Sequence, residues 1–274
     1  MAMRTLNREF IGFLLPVCAL MAFGLLMPLA FIVYHSFGAD KFSLNAYTGL
    51  LQSRLFLRVT WTTMEISLAA TIISVVFGYP IALHLSRVSD RWRPAFLVLV
   101  LLPFWTSILV KNYSFIVVLG EQGIINQAIA AVGLPKLPMM FNRVGVLAGM
   151  TNYLIPFIVF PLLANMLGQS AELRRAAAVM GASDFWIFWR ITFPLSLPGL
   201  IAGGIMCFVI SLGFFVTPAL LGGRQDMMVA NLIDFYTRES LDWPTASAIA
   251  VLLLVSSGIL LALLGKVRGK DALI

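Results

Sequence analysis

Charge is scarce in this chain. Asp, Glu, Lys and Arg make up 11% of its 274 residues, against 60% hydrophobic residues. Soluble globular domains carry about 25% charged residues, so a water-exposed fold is excluded. Cysteine and histidine are sparser still, at two each. Cys18 and Cys207 sit in separate apolar runs without metal-ligand spacing and read as two small buried hydrophobes. His35 and His84 lie too far apart in the expected topology to act together, and no carboxylate cluster or nucleophile elbow accompanies them. Neither catalytic nor metal-ligating residues are therefore assigned. A phosphate-binding Gly-x-x-x-x-Gly-Lys-Ser/Thr loop is also missing. Its nearest approach, Gly265-Lys266-Val267, lacks the hydroxyl and the earlier glycine. The chain cannot be its own ATPase, and no cofactor is expected in it. A formal charge of +7 raises the question of nucleic acid. The basic residues are scattered at the ends of apolar runs rather than gathered in one patch, so nucleic acid is not expected.

What the chain has instead is long apolar runs and a mean hydropathy of +0.95. A membrane-spanning helix needs roughly 20 apolar residues. Six such runs are found, at about 10–34, 61–86, 94–119, 144–167, 198–221 and 246–265. The first is too long for a signal-peptide core and reads as a retained span. Prolines inside the fourth, Pro156 and Pro161, are tolerable where neighbouring helices satisfy the freed carbonyls. The expected fold is an all-α integral membrane protein of six spans in a single transmembrane domain over 1–274, with no soluble domain. Six spans place both termini on one face. That face collects Arg4, Arg8, Arg87, Arg91, Arg93, Arg174, Arg175, Arg190, Lys266, Arg268 and Lys270. The other holds Lys41, Arg54, Arg58, Lys136, Arg143, Arg224 and Arg238. The bias, in shorter loops, puts the termini and the polar segment at about 168–197 in the cytoplasm.

That polar segment has its own grammar. Ser170 suits a helix N-cap, Glu172 falls in the first turn where negative charge favours the dipole, and Gly181 stands where a helix would end. Ser183 and Asp184 are placed to cap a second helix. Leu173, Ala176, Ala177 and Met180 recur at i, i+3, i+4 and i+7, giving one apolar and nearly flat face suited to close docking. The run Ala176-Ala177, Gly181, Ile191 and Phe193-Pro194 resembles the EAA signature of ABC-importer permeases. Arg175 stands where that family usually has Glu, and Phe193 where it often has Leu. The resemblance implies the type I importer permease fold, with a cytoplasmic coupling helix seated in a groove of a separate ATPase. Its contact residues would be Glu172, Leu173, Arg175, Ala176, Ala177, Met180, Gly181, Ala182, Ser183 and Pro194.

Further stretches resemble the spermidine/putrescine branch of these permeases: Leu102-Pro-Phe-Trp-Thr-Ser107 with Lys111-Asn-Tyr113, Gly120 to Asn126, Phe215 to Gly223, and Asp242-Trp-Pro244. The branch also includes importers of opines and aminophosphonates. It implies two ABC ATPase subunits that bind ATP and Mg, a second permease of different sequence, a periplasmic solute-binding protein, and surrounding lipid of a bacterial inner membrane. A polyamine path would need acceptors and aromatic faces. Asn112, Asn152 and Tyr153 are the first candidates, because amides inside spans need partners. Glu65, Trp105, Tyr113 and Phe214 follow. The main rival is an ion-driven carrier. Glu65 and Lys111 are the ionisable groups inside spans, and both sit toward the outer surface where snorkelling explains them, which disfavours that rival. A non-transporting membrane scaffold also fits the composition, but gives no reason for the EAA-like segment.

Overall fold

The computed structural model describes residues 2–38 and 42–271, and they are helical throughout, with no strand among them. In chain order they form α1 (Ala2–Ser36), α2 (Asn45–Gln52), α3 (Arg54–Arg87), α4 (Arg93–Trp105), α5 (Ile108–Leu119), α6 (Ile124–Ala131) and α7 (Arg143–Leu167). Then come α8 (Ala171–Val179), α9 (Asp184–Ile187), a π-helical turn (Phe188–Thr192), α10 (Phe193–Leu212), α11 (Val216–Leu221), α12 (Val229–Arg238) and α13 (Trp243–Asp271). Six stretches are long and apolar enough to cross a bilayer: Pro16–Ser36, Arg54–Arg87, Ile108–Ala131, Arg143–Leu167, Asp184–Leu212 and Trp243–Ala262. The all-helical, six-span expectation holds, while several boundaries move.

The run at 94–119, expected as one span, is two helices broken at Thr106–Ser107. Helix α4 has 13 residues, about 20 Å, too short to cross a hydrocarbon core of about 30 Å. Both residues of the break have extended ψ values, 139° and 132°. The carbonyls this strands near the end of α4 are taken by side chains. The Thr106 hydroxyl donates to the Leu102 carbonyl at 3.1 Å and the Lys111 ammonium donates to the Pro103 carbonyl at 2.7 Å. Likewise the run at 198–221 ends as a helix at Leu212, with Gly213 as its cap, and resumes as the short α11.

The chain divides into two compact units, Met1–Arg54 with Ile233–Leu254, and Leu55–Leu232 with Val255–Ile274. In the larger unit, α7 is the central helix. Its Val146, Met150, Leu154, Ile158 and Leu162 are fully buried, packed with Ile66, Ala70 and Leu85 of α3 and Cys207 of α10. Glycines set the spacing. A Cβ on Gly199 would lie 2.6 Å from Asn165 Cβ, and one on Gly203 3.2 Å from Ile158 Cα, so α10 lies backbone-close to α7. Their Gly-x-x-x-Gly spacing is what such contact requires. Gly204, next to Gly203 in the sequence, faces open space. In the smaller unit, Ser36 at the end of α1 accepts from Tyr47 of α2 at 2.8 Å, and Asp242 caps α13 by accepting from the Thr245 amide. Cys207 is buried as expected, but Cys18 is exposed, because the most apolar 18-residue stretch of the α1 span has no buried residues.

Candidate functional site

Two places carry chemistry, and α8 is the first. Its ends are closed locally. Ser170 Oγ accepts from the Glu172 amide at 3.2 Å. At the other end Gly181 adopts φ +86°, its amide donates to the Ala178 carbonyl, and the Ala182 amide reaches back to Ala177, each at 3.0 Å. This pair of bonds is a Schellman closure, which a residue with a Cβ enters at a cost. Ser183 then caps α9 through the Trp186 amide, and Pro194 occupies the first turn of α10. Leu173, Ala176 and Met180 of the expected flat face stand exposed, Met180 at 81%, while Ala177 at 2% is tucked against the chain. Glu172 and Arg175 are exposed as well. An apolar face left uncovered on a polar helix is a surface made to be covered.

The connection from α8 to the spans is aromatic. Tyr79 of α3 meets Phe188 of the π turn and Phe193 of α10 at ring separations of 6.0 and 5.9 Å, and its hydroxyl lies 2.9 Å from Ser196 Oγ. A π turn inside an otherwise α-helical stretch frequently marks a functional position.

The second place surrounds Asn152 on α7. It lines a cavity of about 500 Å³ with Pro80, His84, Phe96 and Pro103, and another of about 510 Å³ with Phe77, Phe115 and Thr151. Among the described residues nothing hydrogen-bonds the Asn152 amide, and the buried Thr151 hydroxyl is likewise unpartnered. The other pathway candidates are used differently. Asn112, at 2% exposure, donates to Thr217 Oγ1 at 3.3 Å and clamps α5 to α11. It lines neither Asn152 cavity. Tyr153 joins Phe104, Phe157 and the buried Phe214 in a ring cluster with centroids 5.3 to 5.7 Å apart. Trp105, at 83% exposure, and Tyr113 point away from the chain. Lys111 does not snorkel outward as expected. Its ammonium sits 5.0 Å over the Tyr153 ring while holding the Pro103 carbonyl, because the broken helix offers it an acceptor inside.

Comparison with known proteins bears on the family and the fold. Residues 70–268 match the model of the binding-protein-dependent transport system inner membrane component family. The chain belongs to that family. This permease is 34% identical over 228 residues to the spermidine/putrescine transport system permease of Haemophilus influenzae, covering 82% of this chain and 79% of the relative. To the corresponding Escherichia coli permease it is 32% identical, with 82% of each chain covered. Its fold matches a crystal structure of a bacterial alginate-importing ABC transporter at TM-score 0.74 and 20% identity, over 99% of this chain and 98% of that one. The permease is therefore a multi-pass inner-membrane transport component.

One cluster in the permease escaped the sequence reading. Arg143, the first residue of α7, donates to Glu65 Oε2 at 2.8 Å and to Asp226 Oδ1 at 3.4 Å. Trp61 Nε1 also donates to Glu65, at 2.6 Å, and the Gly223 amide to Asp226 at 3.1 Å. Glu65, a pathway candidate, is thus already paired. The sequence signal available was Asp226, an acid three residues after the Gly222-Gly223 pair; in the structure it is 6% exposed.

Proposed function

We propose that this chain forms half of the translocation pathway of an ATP-driven importer for a small amine-containing solute such as putrescine or spermidine. It supplies pathway and lever and performs no catalysis itself. ATP and Mg are bound by two separate ATPase subunits, a second permease of different sequence completes the pore, and a periplasmic binding protein delivers the cargo.

The observation that carries this reading is α8, closed at both ends by its own residues yet leaving Leu173, Ala176 and Met180 uncovered. Such a helix keeps its shape without a partner and offers an apolar face to one. With the Lys/Arg bias placing it in the cytoplasm, an ATPase groove is the natural seat. Closure of the ATPases would move α8. The Tyr79, Phe188 and Phe193 contacts would pass that movement to α3 and α10. The names of the two relatives above support the polyamine cargo. Asn152, facing two cavities with its amide unpaired, is the pathway residue this reading favours.

The test is ATP hydrolysis by the co-purified complex in lipid with its binding protein, screened against putrescine, spermidine, opines and aminophosphonates. Stimulation by polyamines is the expected result. Stimulation by another class would move the cargo assignment, and a complex lacking any ATPase would sink the importer reading. Asn152→Leu should lower transport about tenfold, the worth of one intramembrane hydrogen bond, while leaving the fold intact. Unchanged transport would take Asn152 off the path.

A further inference from the structure

The side of α8 away from its flat apolar face is not apolar. Ala171, Arg174, Arg175 and Ala178 also recur at i, i+3, i+4 and i+7, two residues out of phase with Leu173, Ala176, Ala177 and Met180. At 3.6 residues per turn the two sets are about 160° to 200° apart around the helix. The first set, with Arg87 at the end of α3 and Asp184 at the start of α9, lines an open cavity of about 350 Å³. Three guanidinium groups thus meet one carboxylate. Among the described residues, the side chains of Arg87, Arg174, Arg175 and Asp184 take part in no hydrogen bond or ion pair. An excess of two positive charges in the cavity is left without a counter-ion among the described residues.

The surroundings say where that counter-ion resides. The apolar run at 61–86 ends directly before Arg87, so the cavity lies beside the end of an apolar span. Immediately after Asp184 come Phe185, Trp186 and Trp189, all exposed, followed by Arg190. Exposed tryptophans beside arginine are the composition of a headgroup-level belt. An ATPase seated on the flat face would meet the opposite side of α8, leaving the arginine side facing the membrane surface.

We propose that this cavity holds the phosphodiester headgroup of an anionic membrane phospholipid. Arg87, Arg174 and Arg175 supply charge-assisted donors to the phosphate oxygens, Arg175 lining this cavity rather than the ATPase contact the resemblance implies for it, and Trp186 and Trp189 hold the adjoining glycerol level. The lipid would then brace the coupling helix against the end of α3. The inference rests on the proposed function only in placing α8 at the cytoplasmic surface.

The test is native mass spectrometry of the full chain, with whatever subunits co-purify, after exchange into mixed micelles of equal phosphatidylglycerol and phosphatidylcholine. The wild type should retain phosphatidylglycerol selectively, and Arg87→Gln and Arg174→Gln should each lower that selectivity by about fivefold. Arg174→Lys should restore most of it, and Leu173→Ala on the opposite face should leave it unchanged. Equal retention of both lipids by the wild type, or unaltered selectivity in the Arg87→Gln/Arg174→Gln double variant, would overturn the proposal. So would displacement of the lipid by inorganic phosphate at equal concentration, which would mark a free-phosphate site. Loss of the ATPase from the double variant with lipid retention unchanged would assign the arginines to an acidic protein surface instead. Lipid retention is read on the permease itself, so a chain that retains phosphatidylglycerol without any ATPase would support the lipid site while refuting the importer reading.

Discussion

Helices α7 and α8 follow each other in the chain and are held in opposite ways. Helix α7 has 25 residues, carries Pro156 and Pro161, and is fixed by what surrounds it, with Ile158 and Leu162 buried and the backbone of α10 against it. Helix α8 has nine residues and is fixed by its own ends, through Ser170 and Gly181. A helix held by neighbours can tolerate poor local sequence, including proline, because packing supplies what propensity does not. A helix held by its caps can leave its faces free for partners. In the proposed importer the first kind serves as frame and the second as the part to be gripped.

The contrast can be broken from either side. The largest effect is expected at Gly199→Leu, because even a Cβ there would lie 2.6 Å from Asn165 Cβ and 3.1 Å from the Pro161 carbonyl. Overpacking of this kind costs about 1–3 kcal/mol or more and should lower the melting temperature in detergent sharply. The same substitution at Gly204, which faces open space, should not. Next comes Gly181→Asp. Forcing a side chain into a left-handed position costs about 1 kcal/mol locally. The subunit should still insert and keep its melting temperature, while coupled transport falls about tenfold as α8 loses its closure. Retained coupling would count against α8 as the lever.

Arg143→Gln sharpens the comparison at the N-terminal end of α7. Its link to Glu65 is partly exposed and worth about 0–1 kcal/mol, while its removal leaves Asp226 with one donor fewer in a buried position, for a total of about 1–3 kcal/mol. Double-mutant cycles with Glu65→Gln and Asp226→Asn should give the larger coupling to Asp226. The smallest effect belongs to Ser170→Ala. It should remove about 1 kcal/mol of local helix stability, visible as faster amide exchange in the first turn of α8 and not in global unfolding.

Much of α8 was legible in advance because caps act within a few residues. Ser170, Gly181 and Ser183 each bond to backbone no more than five positions away. The pathway candidates were less legible. Asn112 and Asn152 look alike in the sequence, both amides in apolar runs. One is buried against Thr217 and the other faces two cavities. Nothing local separates them, because the partner of Asn112 is 105 positions away. Lys111 and Glu65 were read as snorkelling groups for the same reason. The first turns on a helix break, the second on Arg143, 78 positions away.

Composition and hydropathy decide that this chain lives in a membrane as six helical spans, since removing apolar runs of roughly 20 residues from water dominates every local preference. Short-range chemistry decides where α8 starts and stops. What only packing decides is which polar groups are spent inside the protein and which remain available. A hydrogen bond in the bilayer goes to whichever partner the fold brings within about 3 Å, and that partner sits on another helix at Asn112 but is missing among the described residues at Asn152.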